Sequence, residues 1–353
     1  MASNTNEFAD NLPRVHRALA RWYGLHGRRD LPWRNTRDAY RIYISEIMLQ
    51  QTQVKTVLER YYGPFLKRFP TLAALGKAKA EAVVKQWEGL GYYTRARNLH
   101  AAAQQCKGVL PKTPEALMAL PGIGHNTANA IACFGFGAAT PVMEANVKRV
   151  LCRVFALKAP DAATLWDKAS LLLDAKNAFN YNQAMMDIGA MVCTKRAPRC
   201  GECPLAVLCK GQVSPEMYPS LKRKKAAPVR RKTIVVFTDA AGRYLLTRRD
   251  TRFLHGLYGF MEYEADVHAV KLGNRQYTLH REQLLGGVTQ AYSHFTLEAK
   301  VYLVPVAKLP AGGSSPTLSG MQRLPLSRAD HKIMRMLAEC SRPGGGRDLM
   351  QMA

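Results

Sequence analysis

Residues 120–126 read LPGIGHN and lie between two segments with a helical pattern of apolar residues. The glycines Gly122 and Gly124 allow a tight turn and let backbone N–H groups approach an anion closely. The helix that follows would present its N-terminus to the same anion. Turns of this kind often do no more than end a helix. With that alternative kept open, the pattern predicts two helices joined by a hairpin that contacts phosphate.

On both sides of the hairpin, residues 12 to about 190 repeat apolar side chains at helical spacing and show no strand pattern. One longer helix is expected from a single apolar stripe, which comprises Ile44, Ile47, Met48, Val54, Val57, Leu58 and Tyr61. Another helix should begin at Thr113, because a capping residue precedes a proline there. This part of the chain is therefore predicted to be all-α.

The pattern changes further along the chain. Residues 213–232 combine three prolines with two basic clusters and few apolar side chains, which is typical of a linker. Beyond it, two strands are expected around a turn at 239–242, with a further strand at 299–306. A capping pattern that begins at Ser327 predicts a short helix. The last third should therefore form a smaller α+β domain.

The chain carries 51 Lys and Arg residues against 26 Asp and Glu residues, a formal net charge of +25. An excess of this size attracts polyanions, so nucleic acid is the expected partner. Hydrophobic residues make up 47% of the chain, too many for a disordered protein. No apolar run is long enough to cross a bilayer, and the N-terminus lacks the apolar core of a signal peptide. A cytosolic protein without a membrane partner is expected.

Four of the eight cysteines crowd into residues 193–209 with the spacing C-x6-C-x2-C-x5-C, namely Cys193, Cys200, Cys203 and Cys209. This crowding favours a metal site in a reducing compartment over disulfides. Thiolates are soft ligands that suit iron–sulfur clusters or zinc. Structural zinc sites usually pair two C-x2-C knuckles and only one is present, so zinc is the less favoured alternative. The basic residues of this loop should also contact phosphate.

Residues 45–53 read SEIMLQQTQ, in which an acid and three glutamines interrupt an amphipathic helix. Glu46 could protonate a purine leaving group, a general-acid task that needs a raised pKa. Gln50 and Gln51 could fill the gap left by a flipped nucleotide and hydrogen-bond base edges. Judged by composition alone, a surface acid with polar neighbours is the simpler interpretation.

Three strings decide between these interpretations: SEIMLQQTQV at 45–54, GLGYYTRARNL at 89–99 and NQAMMDIGA at 182–190. Together with the cysteine loop and the hairpin, they closely resemble the MutY adenine glycosylases of the helix-hairpin-helix, endonuclease III-like superfamily. The resemblance implies a monofunctional enzyme that excises adenine opposite 8-oxoguanine or guanine and carries a [4Fe–4S] cluster. It also implies a multidomain layout, with an all-α helix-hairpin-helix glycosylase domain over residues 1–212, its iron–sulfur loop at 193–209, the linker at 213–232, an α+β Nudix-like domain over 233–340 and a disordered tail over 341–353.

The resemblance assigns roles to individual residues. Glu46 matches the acid that protonates adenine, and Glu144 and Asn146 match further catalytic positions. The residues expected to contact DNA are Gln50, Gln51, Tyr92, Gly122, Gly124, His125 and Asn126. Of these, Gln51 and Tyr92 match the residues that intrude into the duplex near the oxidised guanine, where the ring of Tyr92 would act as a wedge that replaces lost stacking. Bifunctional members of the superfamily carry a lysine at the second residue after the hairpin, and its amine attacks the sugar. Here Asn126 occupies that position and cannot form an imine, so strand cleavage is not expected.

One departure affects the catalytic set. The family usually has Asp-Gly-Asn where this chain has Glu144-Ala145-Asn146. Glutamate keeps the charge that stabilises the cationic sugar but reaches further, and mispositioning by about 1 Å can cost roughly a hundredfold in rate. Ala145 would cost roughly 1–2 kcal/mol if its φ were positive. The sequence leaves open whether the two changes are a concerted adjustment or a loss of activity.

The region after the linker resembles the family's Nudix-like domain, which checks for 8-oxoguanine. Tyr292-Ser293-His294-Phe295 resembles the family's Phe-Ser-His recognition loop, so Tyr292, Ser293 and His294 are the candidate lesion contacts. A Nudix hydrolase needs a glutamate-rich REx2Ex2G-type helix to hold magnesium, and residues 264–283 contain no such motif. This domain is therefore expected to bind rather than to hydrolyse.

Three alternatives accompany the main interpretation. Asn126 argues against a bifunctional lyase, and the missing motif argues against a Nudix pyrophosphohydrolase. Glu144-Ala145 leaves open a weakly active or non-catalytic lesion-binding homologue. The expected partner is double-stranded DNA that contains an 8-oxoguanine·adenine mispair, bound by a monomer. The resemblance implies a bacterial cytoplasmic protein associated with the nucleoid.

Overall fold

In the computed structural model, the described residues form four stretches of the chain: 3–220, 226–251, 253–311 and 313–340. The tail at 341–353, for which disorder was predicted, lies outside them. Within these stretches, no helix is both long and apolar enough to cross a membrane.

The chain divides into two compact units. The first consists of Met1–Lys77 and Asn98–Arg223, and the second of Ala78–Arg97 and Lys224–Ala353. No feature of the sequence separated residues 78–97 from the helical part. Their place in the second unit is therefore a structural finding, and it brings the GLGYY string into the same unit as the predicted lesion contacts.

The described part of the chain before residue 221 contains helices and no strand, as predicted. Its α-helices are α1 (Ser3–His26), α2 (Ala39–Leu49), α3 (Val54–Arg60), α4 (Tyr62–Arg68), α5 (Leu72–Lys77), α6 (Ala80–Gln86), α7 (Thr94–Gln105), α8 (Pro114–Met118), α9 (His125–Phe136), α10 (Ala145–Val154), α11 (Ala162–Leu172) and α12 (Ala178–Asp187). A π-helical turn, Ile188–Val192, extends α12. Helix α2 packs on α9, and α1 packs on α12, so their apolar faces form the core of the first unit.

The prediction of one longer helix over residues 44–61 is wrong. Helix α2 ends at Leu49 and α3 begins at Val54. Between them, Gln51 has a φ of 57°, in the left-handed region that a continuous right-handed helix cannot contain. The predicted helix start at Thr113 is confirmed, because its hydroxyl accepts a hydrogen bond from Ala116 N at 3.3 Å.

The second unit is α+β, which confirms the predicted fold class. Besides α6 and the start of α7, its elements are β1 (Val229–Thr238), β2 (Thr247–Arg248), β3 (Tyr258–Gly259), β4 (Met261–Glu264), β5 (Ala269–Leu272), β6 (Arg275–Thr278), β7 (Leu284–Ala291), β8 (Thr296–Pro305), α13 (Leu318–Met321) and α14 (Arg328–Cys340). Four strands form a mixed sheet in the order β4-β1-β8-β7, in which only β1 and β8 are parallel. Helix α14 packs against β7.

Strand β1 has buried side chains on both faces. Ile234 and Val236 belong to one apolar cluster, and Val235 and Phe237 belong to another. A strand covered on both sides needs a continuous apolar run, which explains the sequence TIVVF. The strand begins at Val229, inside the segment predicted as linker.

The strand that follows the turn after β1 is shorter than predicted. The expected turn is present, because the carboxylate of Asp239 accepts hydrogen bonds from Ala241 N and Arg243 N. The second strand of the predicted pair is reduced to a bridge between Thr238 and Tyr244 and the two residues of β2. Isolated bridges replace it because this stretch pairs with residues 314–317 as well as with β1.

Candidate active site

A cavity of about 240 Å³ opens in the first unit beside α2, α9 and the start of α10. Charged and amide side chains form most of its polar lining, namely Arg28, Arg34, Glu46, Gln50, Asn126, Glu144, Asn146 and Gln183. Trp33, Ile42 and Phe134 are among its apolar walls. The fold therefore brings the three predicted catalytic residues into one cavity, together with two of the residues predicted to contact DNA.

Glu46 lies on α2 between buried neighbours, is itself partly buried, and lines the cavity. Burial, reinforced by the charge of Glu144 and opposed by Arg34, raises the pKa of Glu46 to about 7. A carboxyl with this pKa holds a proton in a large fraction of molecules near neutral pH. That is the protonation state that a general acid needs.

Glu144 is the N-cap residue of α10, and its Oε1 accepts a hydrogen bond from Val147 N at 3.2 Å. The longer side chain thus bends back over the first helical turn and places its charge at the positive end of the helix dipole. Ala145 is the first residue of α10, with an exposed side chain and no positive φ. The steric cost that a positive φ would impose on Ala145 therefore does not arise.

Two amide side chains hold the segment that leads into the α10 cap. Asn182 is buried, and its Oδ1 accepts a hydrogen bond from Val142 N at 2.8 Å. Asn126 lies on α9, and its Oδ1 accepts a hydrogen bond from Met143 N at 2.6 Å. The residue at the lysine position thus makes a structural contact, and an amide cannot form an imine.

Two residues that shape the cavity were not predicted from the sequence. Arg34 is 9% exposed and donates hydrogen bonds to both carboxylate oxygens of Asp187, at 2.6 and 3.0 Å. Burial alone would raise the pKa of Asp187, but its bonds to Arg34 and Arg28 hold it below its usual value. Gln183 is 2% exposed, and within the described part of the chain its Oε1 has no hydrogen-bond partner. An unmade bond of this kind costs about 1–3 kcal/mol, so this oxygen suits a ligand donor.

The residues predicted to enter the duplex have strained backbones. Gln51 is exposed with a φ of 57°, and Tyr92 is 45% exposed with a φ of 48°. The left-handed region is uncommon for residues with side chains and concentrates at functional sites. Gln50, the C-cap residue of α2, has no positive φ, and its side chain donates a hydrogen bond to Thr127 Oγ1 at 3.2 Å.

The hairpin at 120–124 has the predicted tight turn. Gly122 has a φ of 75°, and a Cβ there would lie 2.7 Å from the side chain of Asn98, so only glycine fits. Gly124 caps α9 and is surrounded by open space. His125, the first residue of α9, stacks on Trp166 with ring centroids 4.0 Å apart. The exposed start of this 12-residue helix can receive an anion.

The four clustered cysteines line one small cavity together with Arg153. Arg153 Nη1 donates hydrogen bonds to Cys193 Sγ at 3.2 Å and to Thr194 O at 2.7 Å. Burial raises the pKa of Cys203 to about 12 and that of Cys209 to about 11, and the neighbouring cysteines add to both shifts. In the stretches that the structure describes, no group of three or more His, Cys, Asp or Glu side chains is arranged to hold one metal ion.

Helix α10 also connects the active-site cavity to the cysteine loop. Arg149 Nη2 donates a hydrogen bond to Asn146 Oδ1 at 2.9 Å, and Arg149 Nε donates to Cys193 O at 2.9 Å. One guanidinium therefore fixes both the third predicted catalytic residue and the first cysteine of the loop.

A larger cavity, of about 770 Å³, lies within the second unit. The predicted lesion contacts Tyr292, Ser293 and His294 line it, and so does Tyr92. Ser293 and His294 are exposed, with Ser293 Oγ 3.1 Å from His294 Nδ1. Three arginines add positive charge to the lining, namely Arg97, Arg230 and Arg328. The fold thus brings the predicted wedge and the predicted recognition loop to one surface.

The chain is similar to known DNA repair proteins. The family model described as HhH-GPD superfamily base excision DNA repair protein matches residues 44–171. The chain is 31% identical over 295 residues to the adenine DNA glycosylase of Buchnera aphidicola subsp. Acyrthosiphon pisum, which covers 80% of this chain and 84% of that protein. It is 39% identical over 210 residues to the same enzyme of Buchnera aphidicola subsp. Baizongia pistaciae, with 58% of this chain and 60% of that protein covered.

The match extends over only part of some relatives, with 39% to 41% of the mammalian adenine DNA glycosylases covered. Among solved structures, a thermostable thymine-DNA glycosylase is similar, with a TM-score of 0.54 and 28% identity. That likeness covers 60% of this chain and 99% of the other. The likeness thus extends over nearly the whole of that glycosylase.

Proposed function

Because this chain belongs to the adenine DNA glycosylase family, we propose that it removes adenine from DNA by hydrolysing the N-glycosidic bond. The observation that carries the proposal is the cavity that Glu46 and Glu144 share. One carboxyl there holds a proton near neutral pH, and the other supplies a charge beside it. Such a pair suits a general acid and an electrostatic partner.

In this mechanism the adenine nucleotide is flipped out of the duplex into the cavity. Glu46 donates its proton to a ring nitrogen of adenine as the bond to C1′ breaks, and the bonding electrons leave with the base. The carboxylate of Glu144 stabilises the positive charge that develops on the sugar. Water then adds to C1′ and gives its proton to Glu46, which restores the acid and leaves an abasic site.

Two further residues would select adenine. The Oε1 of Gln183, which has no hydrogen-bond partner among the described residues, would accept a hydrogen bond from an exocyclic amine, which adenine has and an oxo base lacks at that position. Arg34, held by Asp187, would donate to an acceptor nitrogen of the ring. The support for both assignments is their burial in the lining of the cavity.

We infer that the strand remains intact after excision, because Asn126 offers no amine. One observation favours the second candidate function, a lesion-binding homologue with little excision. The Oε1 of Glu144 is engaged by Val147 N at 3.2 Å, so part of its charge is used by the helix cap. Excision and binding measured on the same duplex separate the two functions.

We further infer that the substrate is double-stranded DNA with an 8-oxoguanine·adenine mispair, bound by a monomer at the nucleoid in the cytoplasm. The hairpin and the start of α9 suit phosphate contacts, which the net charge of +25 would strengthen. The exposed, strained Gln51 and Tyr92 suit insertion into the base stack. Ser293 and His294 offer exposed polar atoms to the base opposite adenine.

We propose that the α+β part is a Nudix-like domain that binds without hydrolysing. Support comes from residues 264–283, where a Nudix hydrolase would need its glutamate-rich helix. This stretch instead contains the two-stranded β5–β6 hairpin and a short 3-10 turn.

We propose that Cys193, Cys200, Cys203 and Cys209 hold a [4Fe–4S] cluster. Their thiols spread around a shared cavity, and in a cubane each cysteine binds a different iron. Burial disfavours uncompensated thiolates there, which suits a site completed by a cationic group. The bound cluster would supply cross-links that keep the basic loop folded, while Arg153 and Arg149 orient the backbone at Cys193.

The test is single-turnover excision on duplexes that place adenine opposite 8-oxoguanine, guanine or thymine. The proposal expects excision from the first two and little from the third, with strand breaks appearing only after alkali treatment. No excision with intact binding would favour the lesion-binding alternative. Strand breaks without alkali, with borohydride trapping that Asn126→Ala abolishes, would indicate a lyase.

A further inference from the structure

The turn that carries Tyr92 has left-handed backbone at several residues. Gly89, Gly91 and Tyr92 all have positive φ, at 86°, 79° and 48°. The two glycines adopt this region freely, but Tyr92 is strained there, and its conformation persists only when surrounding contacts determine it. Within the turn, Arg95 donates hydrogen bonds to Leu90 O and Gly91 O. Contacts from outside the turn also hold it, and several of them are made by Glu88, the residue just before it.

Glu88 is the centre of these outside contacts. Its Oε2 lies 2.6 Å from Lys85 Nζ, and its Oε1 accepts a hydrogen bond from Leu326 N at 2.8 Å. His331 Nε2 lies 3.0 Å from the same Oε1. Burial alone would raise the pKa of Glu88, but the bonds from His331, Lys85 and Leu326 lower it. The residue therefore stays ionised and makes charge-assisted bonds to two segments of the same unit.

Two further hydrogen bonds join residues next to Glu88 to the same segment of the chain. Arg328 donates a hydrogen bond to Gly89 O at 2.8 Å, and Lys85 donates to Leu324 O at 2.9 Å. The turn that carries Tyr92 is thus bonded to residues 324–331, the segment that leads into the first turn of α14. Ser327 and Arg328 of that segment also line the cavity of the recognition loop, together with Tyr292 and Ser293.

The segment at 324–331 thus connects the two elements assigned to the base opposite adenine. Glu88 and Gly89 are bonded to it, and its residues Ser327 and Arg328 share a cavity wall with Tyr292 and Ser293. Resting on the function proposed above, we propose that Glu88 is a positioning residue for opposite-base discrimination. It holds Tyr92 and Ser293 at a fixed spacing on the wall of their shared cavity, so that both meet the same base.

The experiment measures single-turnover excision rates on 8-oxoguanine·adenine and guanine·adenine duplexes and takes their ratio. Glu88→Ala should lower this ratio about tenfold, the size expected for one lost charge-assisted hydrogen bond. Glu88→Gln should lower it less, because the amide oxygen still accepts from Leu326 N. The matched control is Glu339→Gln, which makes the same charge change at an exposed position of α14 and should leave the ratio unchanged.

A merely structural role is separated by combining Glu88→Gln with Ser293→Ala. If Glu88 acts through the recognition loop, its effect on the ratio largely disappears in the Ser293→Ala background. Additive effects in the double variant would overturn the inference. So would a ratio for Glu88→Ala equal to that of Glu339→Gln. Failure of the unmodified protein to excise adenine would instead overturn the proposed function, and the two failures are therefore distinguishable.

Discussion

The charge of Glu144 contributes to the raised pKa of Glu46, and both carboxyls line the same cavity. The two acids are otherwise held differently. Glu46 lies within a mostly buried helical face, whereas Glu144 caps a helix and accepts a backbone hydrogen bond. Their environments therefore support one proton donor and one carboxylate.

Excision should lose rate as the pH rises through the pKa of Glu46. Its pKa is raised from 4.5 to about 7, so the protonated acid persists to neutral pH and is lost above it. Single-turnover rates should fall roughly tenfold per pH unit well above that value. In Glu144→Gln one cause of the shift is removed, so the midpoint should move to lower pH. A flat profile from about pH 6 to pH 9 would contradict this account.

Glu144→Asp should retain or increase the rate of excision. Aspartate is a favourable N-cap residue and restores the family's usual reach, so the cap should survive with the carboxylate better placed. Ala145→Gly serves as the control. Because Ala145 has no positive φ, its replacement should change the free energy of unfolding by at most about 1 kcal/mol. An inactive Glu144→Asp would show that the cavity has re-formed around the longer side chain.

Cys200→Ser should lower the iron content and DNA binding together. The purified protein should be yellow-brown with about four irons per chain, because four thiolates complete a cubane. The matched control is Cys106→Ser, outside the loop, which should change neither property. Iron analysis and a binding titration on one preparation test both effects. Stoichiometric zinc in place of iron would refute the cluster assignment.

Replacing Ser293 and His294 with alanine should reduce the preference for oxidised guanine over guanine opposite adenine. Both side chains are exposed on the wall of the second cavity, and neither lines the cavity that contains Glu46 and Glu144, so excision from the best substrate should survive in part. His268→Ala, at an exposed position of the same unit, is the control. Unchanged discrimination in the double variant would place lesion recognition elsewhere.

The sequence predicted the site best where family strings and local chemistry coincide. Glu46 comes from α2, Glu144 and Asn146 come from the start of α10, and all three line one cavity, while the hairpin glycine Gly122 has the conformation that only glycine suits. These residues could be found because each lies in a short sequence motif in which the order of residue types is typical of the family. Helix starts such as Thr113 were also predictable, since a cap depends on neighbours in the sequence.

Features that depend on tertiary contacts could not be found this way. The break at Gln51 lies inside an apolar stripe that continues across it, so periodicity favoured one helix. Gln183 belongs to a family string, but only the fold shows that its oxygen is buried without a partner among the described residues. Whether Ala145 is strained depended on its φ, and the helix that begins there supplied the answer.

The most direct test of the central claim is Glu46→Gln on the 8-oxoguanine·adenine duplex. Glutamine has no proton to give at neutral pH, so single-turnover excision should fall by roughly 10²–10⁴-fold. Binding rests mainly on phosphate contacts, so its affinity in a parallel titration should stay close to that of the parent. Glu59→Gln, at an exposed position of α3, should change neither quantity. Excision by Glu46→Gln at the parent rate would contradict the assignment of the acid and the mechanism built on it.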